Sequence, residues 1–306
     1  KLALRYEFTF QLQRLAKNKK LPYKRYQIGE VFRDEPVAQN RLRQFTQADV
    51  DVIGSGVRNE AEILALINDV LEKLGVKPVI MINNRKLLNE ILNDLGIKEK
   101  YKLQVLREID KIGKISEKEV KVNLRKLNAD NIIEALNGGE DYFNKFPSYK
   151  QIIALMEYCK LYGVKVSFSP TVVRGLSYYN GSVFEIKTQG IKETLIAGGS
   201  YMINGVQCTG ISFGLERLMS IAKIDVNKEK ILIISLEQDE AAIRLANKLR
   251  GQKKVVGLFY GKPSKALDYA NSYNFQKVIF VGEKEIKSGK FKVKDMGTGK
   301  ESLLKK

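Results

Sequence analysis

The sequence predicts an α+β domain followed by a smaller α/β domain, in a chain of 306 residues. Strand-like segments lie on both sides of a charged, mainly helical stretch at residues 97–162. Beyond about residue 228, apolar runs typical of buried strands alternate with helical segments. This alternation indicates a partly parallel sheet. The length is enough for two or three ordinary domains.

The N-terminal elements follow from local patterns. Residues 1–56 read as a helix followed by a β-hairpin. Residues 59–75 predict an amphipathic helix, because apolar residues recur at helical spacing. Asn59 and Glu62 resemble a capping box at its start, and Gly75 ends it. Residues 164–222 return to strands and finish in a helix.

These patterns set the expected domain boundaries. The first domain is predicted in two parts that flank a helical insertion, with the α/β domain last. The ranges are 1–96 and 163–224 for the two parts, 97–162 for the insertion and 228–306 for the last domain.

Composition narrows the possible functions. The net charge of +18 indicates a polyanionic partner, and nucleic acid is the natural one. Residues 228–306 hold 18 Lys and Arg against 9 Asp and Glu, so half of the excess charge lies there. The chain has no histidine, which excludes mechanisms that need a histidine base or ligand. The two cysteines read as reduced, buried thiols of a cytoplasmic protein.

Residues 23–55 carry the first chemical pattern. In RLRQFTQADVDV, the residues alternate between two faces of a predicted strand. Leu42, Thr46, Ala48, Val50 and Val52 form a face that can pack on a core. The other face has cations at one end and carboxylates at the other: Arg41, Arg43, Phe45, Gln47, Asp49 and Asp51. It reads either as a solvated outer face or as a strip that holds a polyphosphate and a cationic group.

The segment FRDE, a short loop and RLRQF resemble motif 2 of class II aminoacyl-tRNA synthetases, and TQADVDVIG resembles the histidyl branch. The resemblance implies a catalytic domain built on a mainly antiparallel sheet, with an α/β anticodon-binding domain at the C-terminus. It places Arg33 on the α-phosphate of ATP and Glu35 near the adenine. Arg41 and Phe45 also join the ATP site, whereas Gln47 and Asp51 contact the amino acid.

Two further segments support the resemblance. ALRYEFT is similar to the family's R-P-E-x-T, with Tyr6 in place of proline, and implies Glu7 and Thr9 at the substrate ammonium. VVRGLSYYNGSVFEI resembles the histidyl-specific motif R-G-L-D-Y-Y. It implies that Arg174 is the catalytic cation, together with Arg33, and that Tyr178 and Tyr179 shape the imidazole pocket. Ser177 replaces the aspartate of the motif.

GISFGLERL resembles motif 3, which implies Gly214 beneath the base and Arg217 at the γ-phosphate. The family's G-G-R-Y-D stretch departs here, because Gly198 and Gly199 are followed by Ser200, Tyr201 and Met202. Either the loop differs or residues are missing from the sequence, and we favour the second explanation. Motif 1 is not visible and the sequence opens at Lys1, so we expect N-terminal truncation.

The resemblance implies a ligase that activates L-histidine with ATP and transfers it to tRNA(His). It also implies Mg²⁺ with the ATP and a homodimer. The sequence has no apolar run of about 18 residues and no metal-ligand cluster around its two cysteines, so we expect no membrane contact and no protein metal site. A second hypothesis is a synthetase-like paralogue that regulates histidine biosynthesis or senses tRNA, which the Ser177 and post-Gly199 departures favour. A third is a synthetase for Gly, Thr or Pro, which the R-G-L-x-Y-Y segment disfavours.

Overall fold

The computed structural model describes residues 2–34, 36–37, 42–174, 178–191, 193–223 and 229–305. The chain divides into two compact units, residues 1–223 and 224–306. Within the described ranges, no helix is long and apolar enough to cross a membrane. Cys159 and Cys208 are both buried free thiols, as predicted.

The N-terminal unit is built on a seven-stranded sheet in the order β1-β2-β7-β6-β5-β3-β4. Every neighbouring pair is antiparallel except β3 and β4. The predicted mainly antiparallel sheet is therefore confirmed. Its strands are β1 (Tyr23–Phe32), β2 (Gln44–Ile53), β3 (Pro78–Asn84), β4 (Val166–Phe168), β5 (Ser182–Thr188), β6 (Ile196–Ile203) and β7 (Val206–Gly214).

The predicted hairpin is formed by β1 and β2, in register from Tyr23 opposite Ile53 to Phe32 opposite Gln44. The apolar face of β2 packs on the core, where Ala48 and Val52 are buried. The polar face is buried too, with Gln47, Asp49 and Asp51 each less than 5% exposed. A solvated outer face is therefore excluded, and these polar groups need partners inside the protein.

The helices of this unit pack mainly around the sheet's apolar face and each other. They are α1 (Thr9–Leu15), α2 (Val57–Lys73), α3 (Arg85–Asp94), α4 (Glu99–Ile109), α5 (Glu117–Arg125), α6 (Ile132–Leu136), α7 (Glu140–Asn144), α8 (Tyr149–Leu161) and α9 (Leu215–Met219). The helices α4 to α8 occupy the predicted insertion, and their buried residues belong to the same core as those of α2 and β3.

The predicted capping box of α2 was wrong. The helix begins two residues earlier, at Val57, with Gly56 as its N-cap. The Gly56 N–H donates to the Asn59 side-chain oxygen at 3.2 Å, so Asn59 lies inside the first turn. The predicted end is confirmed, because Gly75 follows the helix with φ of +69°.

A buried carboxyl lies beneath the sheet. Glu60 of α2 is 8% exposed, and its two oxygens accept hydrogen bonds from the hydroxyls of Ser182 and Ser200. These serines belong to β5 and β6, so Glu60 ties two neighbouring strands to α2. Burial raises the pKa of Glu60 above its ordinary 4.5, although both serine hydrogen bonds oppose the rise.

The C-terminal unit has a five-stranded sheet in the order β12-β11-β10-β8-β9. Strand β8 pairs in parallel with β9 and with the central strand β10, while β11 pairs antiparallel with both β10 and β12. The partly parallel sheet is thus confirmed. The elements are β8 (Lys230–Ser235), α10 (Asp239–Gly251), β9 (Val255–Tyr260), α11 (Pro263–Ser272), β10 (Lys277–Val281), α12 (Glu283–Ser288), β11 (Lys290–Asp295) and β12 (Glu301–Lys305).

Glu60 should make stability depend on pH. A carboxyl with a raised folded-state pKa holds its proton after the unfolded chain has lost it, so stability falls as pH rises above about 4.5. The Glu60→Gln variant keeps both hydrogen-bonding positions without the charge. We expect the unfolding free energy of the variant, measured by urea denaturation at several pH values, to increase relative to that of the wild type as pH rises above about 4.5. A constant difference between the two proteins would contradict the assignment.

Candidate active site

Residues directly opposite one another in antiparallel strands point to the same face. Two rows of such residues cross the N-terminal sheet on the face away from α2. The first row is Arg25, Asp51, Gly210, Gly199, Val183 and Asn83, taken from β1, β2, β7, β6, β5 and β3. The second row, over the same strands, is Gln27, Asp49, Ser212, Ala197, Glu185 and Met81. Polar residues thus flank a middle made of small residues.

Two glycines in the first row are required by close approach. A Cβ at Gly210 would lie 2.2 Å from Asp51 Oδ1, and a Cβ at Gly199 would lie 2.9 Å from the Tyr179 ring. Both distances are far inside van der Waals contact. Because the two glycines have no Cβ, the side chains of Asp51 and Tyr179 can lie directly over the centre of the sheet.

Asp51 is held at two points. Arg25 approaches Asp51 Oδ2 with Nε at 3.1 Å and a terminal nitrogen at 3.0 Å, in an ion pair that is almost fully buried. The Tyr201 hydroxyl donates to Asp51 Oδ1 at 2.5 Å. Burial raises the pKa of Asp51, against the opposing effects of Tyr201 and Arg25. The carboxyl is therefore fixed in place before any ligand arrives.

Tyrosines cover this end of the site. The Tyr178 ring stacks on Tyr201 at 4.9 Å between centroids and meets Tyr179 edge-on at 5.1 Å. Burial raises the pKa of both Glu7 and Tyr178, and the neighbouring Thr9 side chain opposes the rise in each case. The structure therefore brings together five predicted substrate residues: Glu7, Thr9, Asp51, Tyr178 and Tyr179.

A chain of side-chain contacts runs along β2 toward the cations. Arg33 donates to Gln47 Oε1 at 2.7 Å, and Gln47 in turn donates to Asp49 Oδ1 at 2.8 Å. Burial raises the pKa of Asp49 to about 7, and the neighbouring Asp51 adds to the rise. A carboxyl whose pKa is raised this far by burial and a like charge is common at functional sites.

Arg33 is positioned by aromatic rings on both sides. Its guanidinium lies 4.9 Å from the centroid of Tyr6 and 5.0 Å from that of Phe45. Within the part of the chain that the structure describes, its buried Nε has no hydrogen-bond partner. A guanidinium that is stacked, half-buried and incompletely paired is well suited to an anionic ligand.

Arg174 and Arg217 are linked through two residues. Arg174 Nε lies 3.5 Å from Glu185 Oε2 and has no hydrogen-bond partner among the described residues. Glu185 also accepts a hydrogen bond from the Thr194 hydroxyl. The backbone carbonyl of Thr194 in turn accepts a hydrogen bond from the Arg217 guanidinium at 2.7 Å. Burial acts against ionisation of Glu185, but Thr194, Arg174 and Lys187 together lower its pKa. Glu185 is therefore a loosely spaced counter-ion of Arg174.

Some of the predictions concern residues that the structure does not describe. Glu35, Arg41 and Ser177 lie outside the described residues. The stretch after Gly199 forms a complete hairpin, because β6 continues to Ile203 and returns through a tight turn at Asn204 and Gly205. This hairpin is formed by the sequence as given, so the explanation by missing residues stays a prediction.

Sequence reasoning missed Arg25, Asp49, Glu185 and Tyr201 as site residues. Asp49 was detectable, since it shares the parity of Gln47 and Asp51 on β2. Arg25 needed the register of the hairpin, which pairs it with Asp51. Tyr201 was noted in the sequence, but its side-chain direction depended on the form of the β6–β7 connection.

The sequence relationships agree with this geometry. Residues 1–218 match the histidyl-tRNA synthetase family, and residues 227–306 match the anticodon binding domain family. The chain belongs to the histidyl-tRNA synthetase family. It is 33% identical to histidine–tRNA ligase 2 of Shouchella clausii, covering 98% of this chain and 80% of the relative. It is 30% identical to histidine–tRNA ligase 1 of Bacillus cereus, with the same shares covered.

Solved structures share the fold of this synthetase family member. Histidyl-tRNA synthetase from Nostoc sp. PCC 7120 superposes with a TM-score of 0.85 at 24% identity, covering 99% of this chain and 81% of that one. A protein from Bacillus halodurans C, described as an ATP phosphoribosyltransferase regulatory subunit/histidyl-tRNA synthetase, gives 0.74 at 23% identity. That match covers 90% of this chain and 79% of the other.

The close approach at Gly210 gives a testable consequence. In Gly210→Ala the new methyl group must displace Asp51, so we expect the unfolding free energy to fall by about 1–3 kcal/mol and ligand binding at the site to weaken. The control is Gly139→Ala, because a Cβ there meets nothing within 4 Å. It should cost less than about 1 kcal/mol. Equal effects of the two variants in denaturant titrations would show that the contact with Asp51 does not constrain the site.

Proposed function

We propose that the protein activates L-histidine with ATP to give histidyl-adenylate and transfers the histidyl group to tRNA(His). One observation carries this proposal. A single sheet face bears a tyrosine and aspartate pocket at one end and partly unpaired arginines at the other, across a floor of small residues. Such a face suits a cationic amino acid joined to a nucleotide.

The amino acid is proposed to bind at the tyrosine end. Glu7 and Thr9 would hold its ammonium, while Gln47 and Asp51 supply further polar contacts. Tyr178 and Tyr179 would enclose the imidazole. Buried polar groups in such a pocket reject amino acids that leave them unpaired, which supports specificity without an editing step.

ATP is proposed to bind at the arginine end. The base would lie at Gly214 beside Phe45, with Glu35 near the adenine. Arg33, Arg41 and Arg217 would bind the phosphates. The buried Nε atoms of Arg33 and Arg174 find no hydrogen-bond partner in the described ranges of the chain, which fits this anionic ligand.

In the first step, a carboxylate oxygen of histidine attacks the α-phosphorus of ATP. A new O–P bond forms, the bond to the bridging oxygen breaks, and pyrophosphate leaves with the bonding electrons. Arg174 and Arg33 would neutralise the charge that gathers on the phosphoryl group. The protein provides no nucleophile, since positioning and electrostatics are sufficient.

Mg²⁺ is proposed only as the counter-ion of ATP. In the ranges that the structure describes, no group of three Cys, Asp or Glu side chains is placed to hold a metal ion. Magnesium commonly binds substrate phosphates with few protein ligands, which is consistent with that arrangement.

In the second step, the terminal ribose of tRNA takes the histidyl group and AMP leaves. The C-terminal unit is proposed to bind the anticodon arm, supported by its family match and its basic composition. We also propose the domain boundaries given above, a homodimer and a cytoplasmic location, as the family resemblance implies.

A regulatory paralogue without catalysis is the second candidate, favoured by the likeness to the Bacillus halodurans protein. The two candidates differ in amino-acid-dependent ATP–pyrophosphate exchange. We expect exchange with histidine and with no other proteinogenic amino acid. Specific histidine binding without exchange would support the regulatory function instead.

Arg174 should be essential for adenylate formation. In Arg174→Ala the charge on the phosphoryl group loses its stabilising cation, so we expect exchange to fall by about 10²- to 10⁴-fold. The fold should persist, as monitored by thermal melting. Arg125→Ala is a suitable control, because that side chain is exposed and pairs only loosely with Asp130 at 3.5 Å. Wild-type exchange rates in Arg174→Ala would refute its catalytic role.

The exposed face of β11 should contribute to tRNA binding. Lys290, Lys292 and Lys294 alternate there with the buried Phe291 and Val293, so their charges share one face. We expect the triple Lys→Ser variant to weaken tRNA binding by about tenfold or more and to reduce its salt dependence. A triple Lys→Ser variant at 248, 253 and 265 removes the same charge from exposed positions elsewhere in this unit. Equal losses in both variants would mean that only net charge matters.

A further inference from the structure

Asn83 lies at the end of the first row of the site face and is 1% exposed. It is the second-last residue of β3, opposite Val183 of β5. The resemblance to histidyl-tRNA synthetases assigns no role to Asn83. Its side chain nevertheless points to the same face as Asp51 and Gly210, because every strand pair between them is antiparallel.

Both the nitrogen and the oxygen of the Asn83 carboxamide form hydrogen bonds with neighbouring backbone groups. Its Nδ2 donates to the carbonyls of Pro170 and Val172, both at 3.0 Å. Its Oδ1 accepts from the N–H of Asn84 at 2.8 Å. An amide has two donor hydrogens, and here both point to one short segment.

That segment leads directly to Arg174. Residues 169–173 form neither helix nor strand, so few backbone hydrogen bonds fix them. Ser169 donates to the Ile82 carbonyl at 2.9 Å, and Val172 donates to Ser169 at 3.1 Å. The Asn83 amide adds two bonds, the second of them only two residues before Arg174.

The Arg174 side chain is itself weakly held. Its described ion pair is the 3.5 Å approach of Nε to Glu185, and that nitrogen lacks a hydrogen bond. The direction of the guanidinium therefore depends on where the backbone at residue 174 is placed. Val172 and Val173 are both buried, so a shift of this backbone would be transmitted to Arg174.

We propose that Asn83 is a positioning residue for adenylate formation, which clamps the carbonyls of Pro170 and Val172 so that Arg174 faces the reacting groups. The inference rests on the proposed function. Asn83 contacts no reacting atom and acts only through Arg174. A misplacement of about 1 Å at a catalytic group can cost roughly 100-fold in rate.

The test is a double-mutant cycle between Asn83→Asp and Arg174→Ala. Aspartate keeps the shape of asparagine but has no N–H to donate. The readout is the affinity of a non-hydrolysable sulfamoyl analogue of histidyl-adenylate, measured by calorimetry. We expect Asn83→Asp to weaken binding by about 10- to 100-fold when Arg174 is present and by less than about threefold when it is absent. In exchange assays, kcat should fall by a similar factor with KM for ATP changing less than about threefold.

Asn84→Asp is the matched control. Asn84 is a neighbouring, fully buried asparagine, but its side chain donates to Gln151 and caps α3 by accepting from Lys86. The control places the same carboxyl one residue away, with no contact to the 170–172 carbonyls. It should lower the melting temperature yet keep analogue affinity within about twofold. If Asn83→Asp fails to fold, Asn83→Ser, which can donate only one hydrogen bond, replaces it with an expected loss of about 3- to 10-fold.

The outcomes separate this inference from the proposed function. Equal weakening by Asn83→Asp with and without Arg174 would overturn it, as would unchanged binding in a folded variant. If the wild type binds the analogue but gives no exchange, the proposed activity fails while the affinity cycle still decides the role of Asn83. If the wild type neither exchanges nor binds, both are overturned.

Discussion

The buried contact of Asp51 with Arg25 and Tyr201 is the interaction on which the site depends. Arg25 comes from β1, Asp51 from β2 and Tyr201 from β6, so one carboxyl joins three strands. It can occupy this position only because Gly210 on β7 has no side chain. An unpaired charge buried here would cost several kcal/mol. The three partners and the glycine are therefore mutually required.

This arrangement sets the electrostatics of the whole face. Asp49 lies one row from Asp51, and burial together with that neighbour raises the pKa of Asp49 to about 7. Glu7 adds a third carboxyl, whose pKa is also raised, by burial first. Cations lie beside these acids, since Arg33 partly offsets the rise in the pKa of Glu7 and Arg174 lies 3.5 Å from Glu185. A face with acids and cations side by side suits a ligand that carries both an ammonium group and a phosphate.

Local patterns in the sequence predicted the strands, the hairpin and the parity of β2, whereas most residues of the tyrosine end came from the family resemblance. They could not predict Arg25, because its partner follows from a register set across the loop between β1 and β2. They could not predict Asn83 either, since its bonds span nearly 90 residues of chain. The capping error at Asn59 has a local cause. Gly56 adopts an extended conformation and uses the same asparagine from the opposite direction.

The Ser200 departure does not remove a group from the site. Ser200 pairs with Thr209, whereas Gly199 and Tyr201 pair with Gly210 and Cys208, so Ser200 faces the core. There its hydroxyl binds Glu60, whose pKa is raised by burial. A carboxyl that tends to keep its proton is satisfied by hydroxyl groups and needs no cation. A serine is therefore compatible with this position, and the ligand side of β6 keeps Gly199 and Tyr201. The replacement therefore changes a contact between the sheet and α2, and it does not change a side chain on the ligand face. For this reason it is a weak argument for a loss of catalysis.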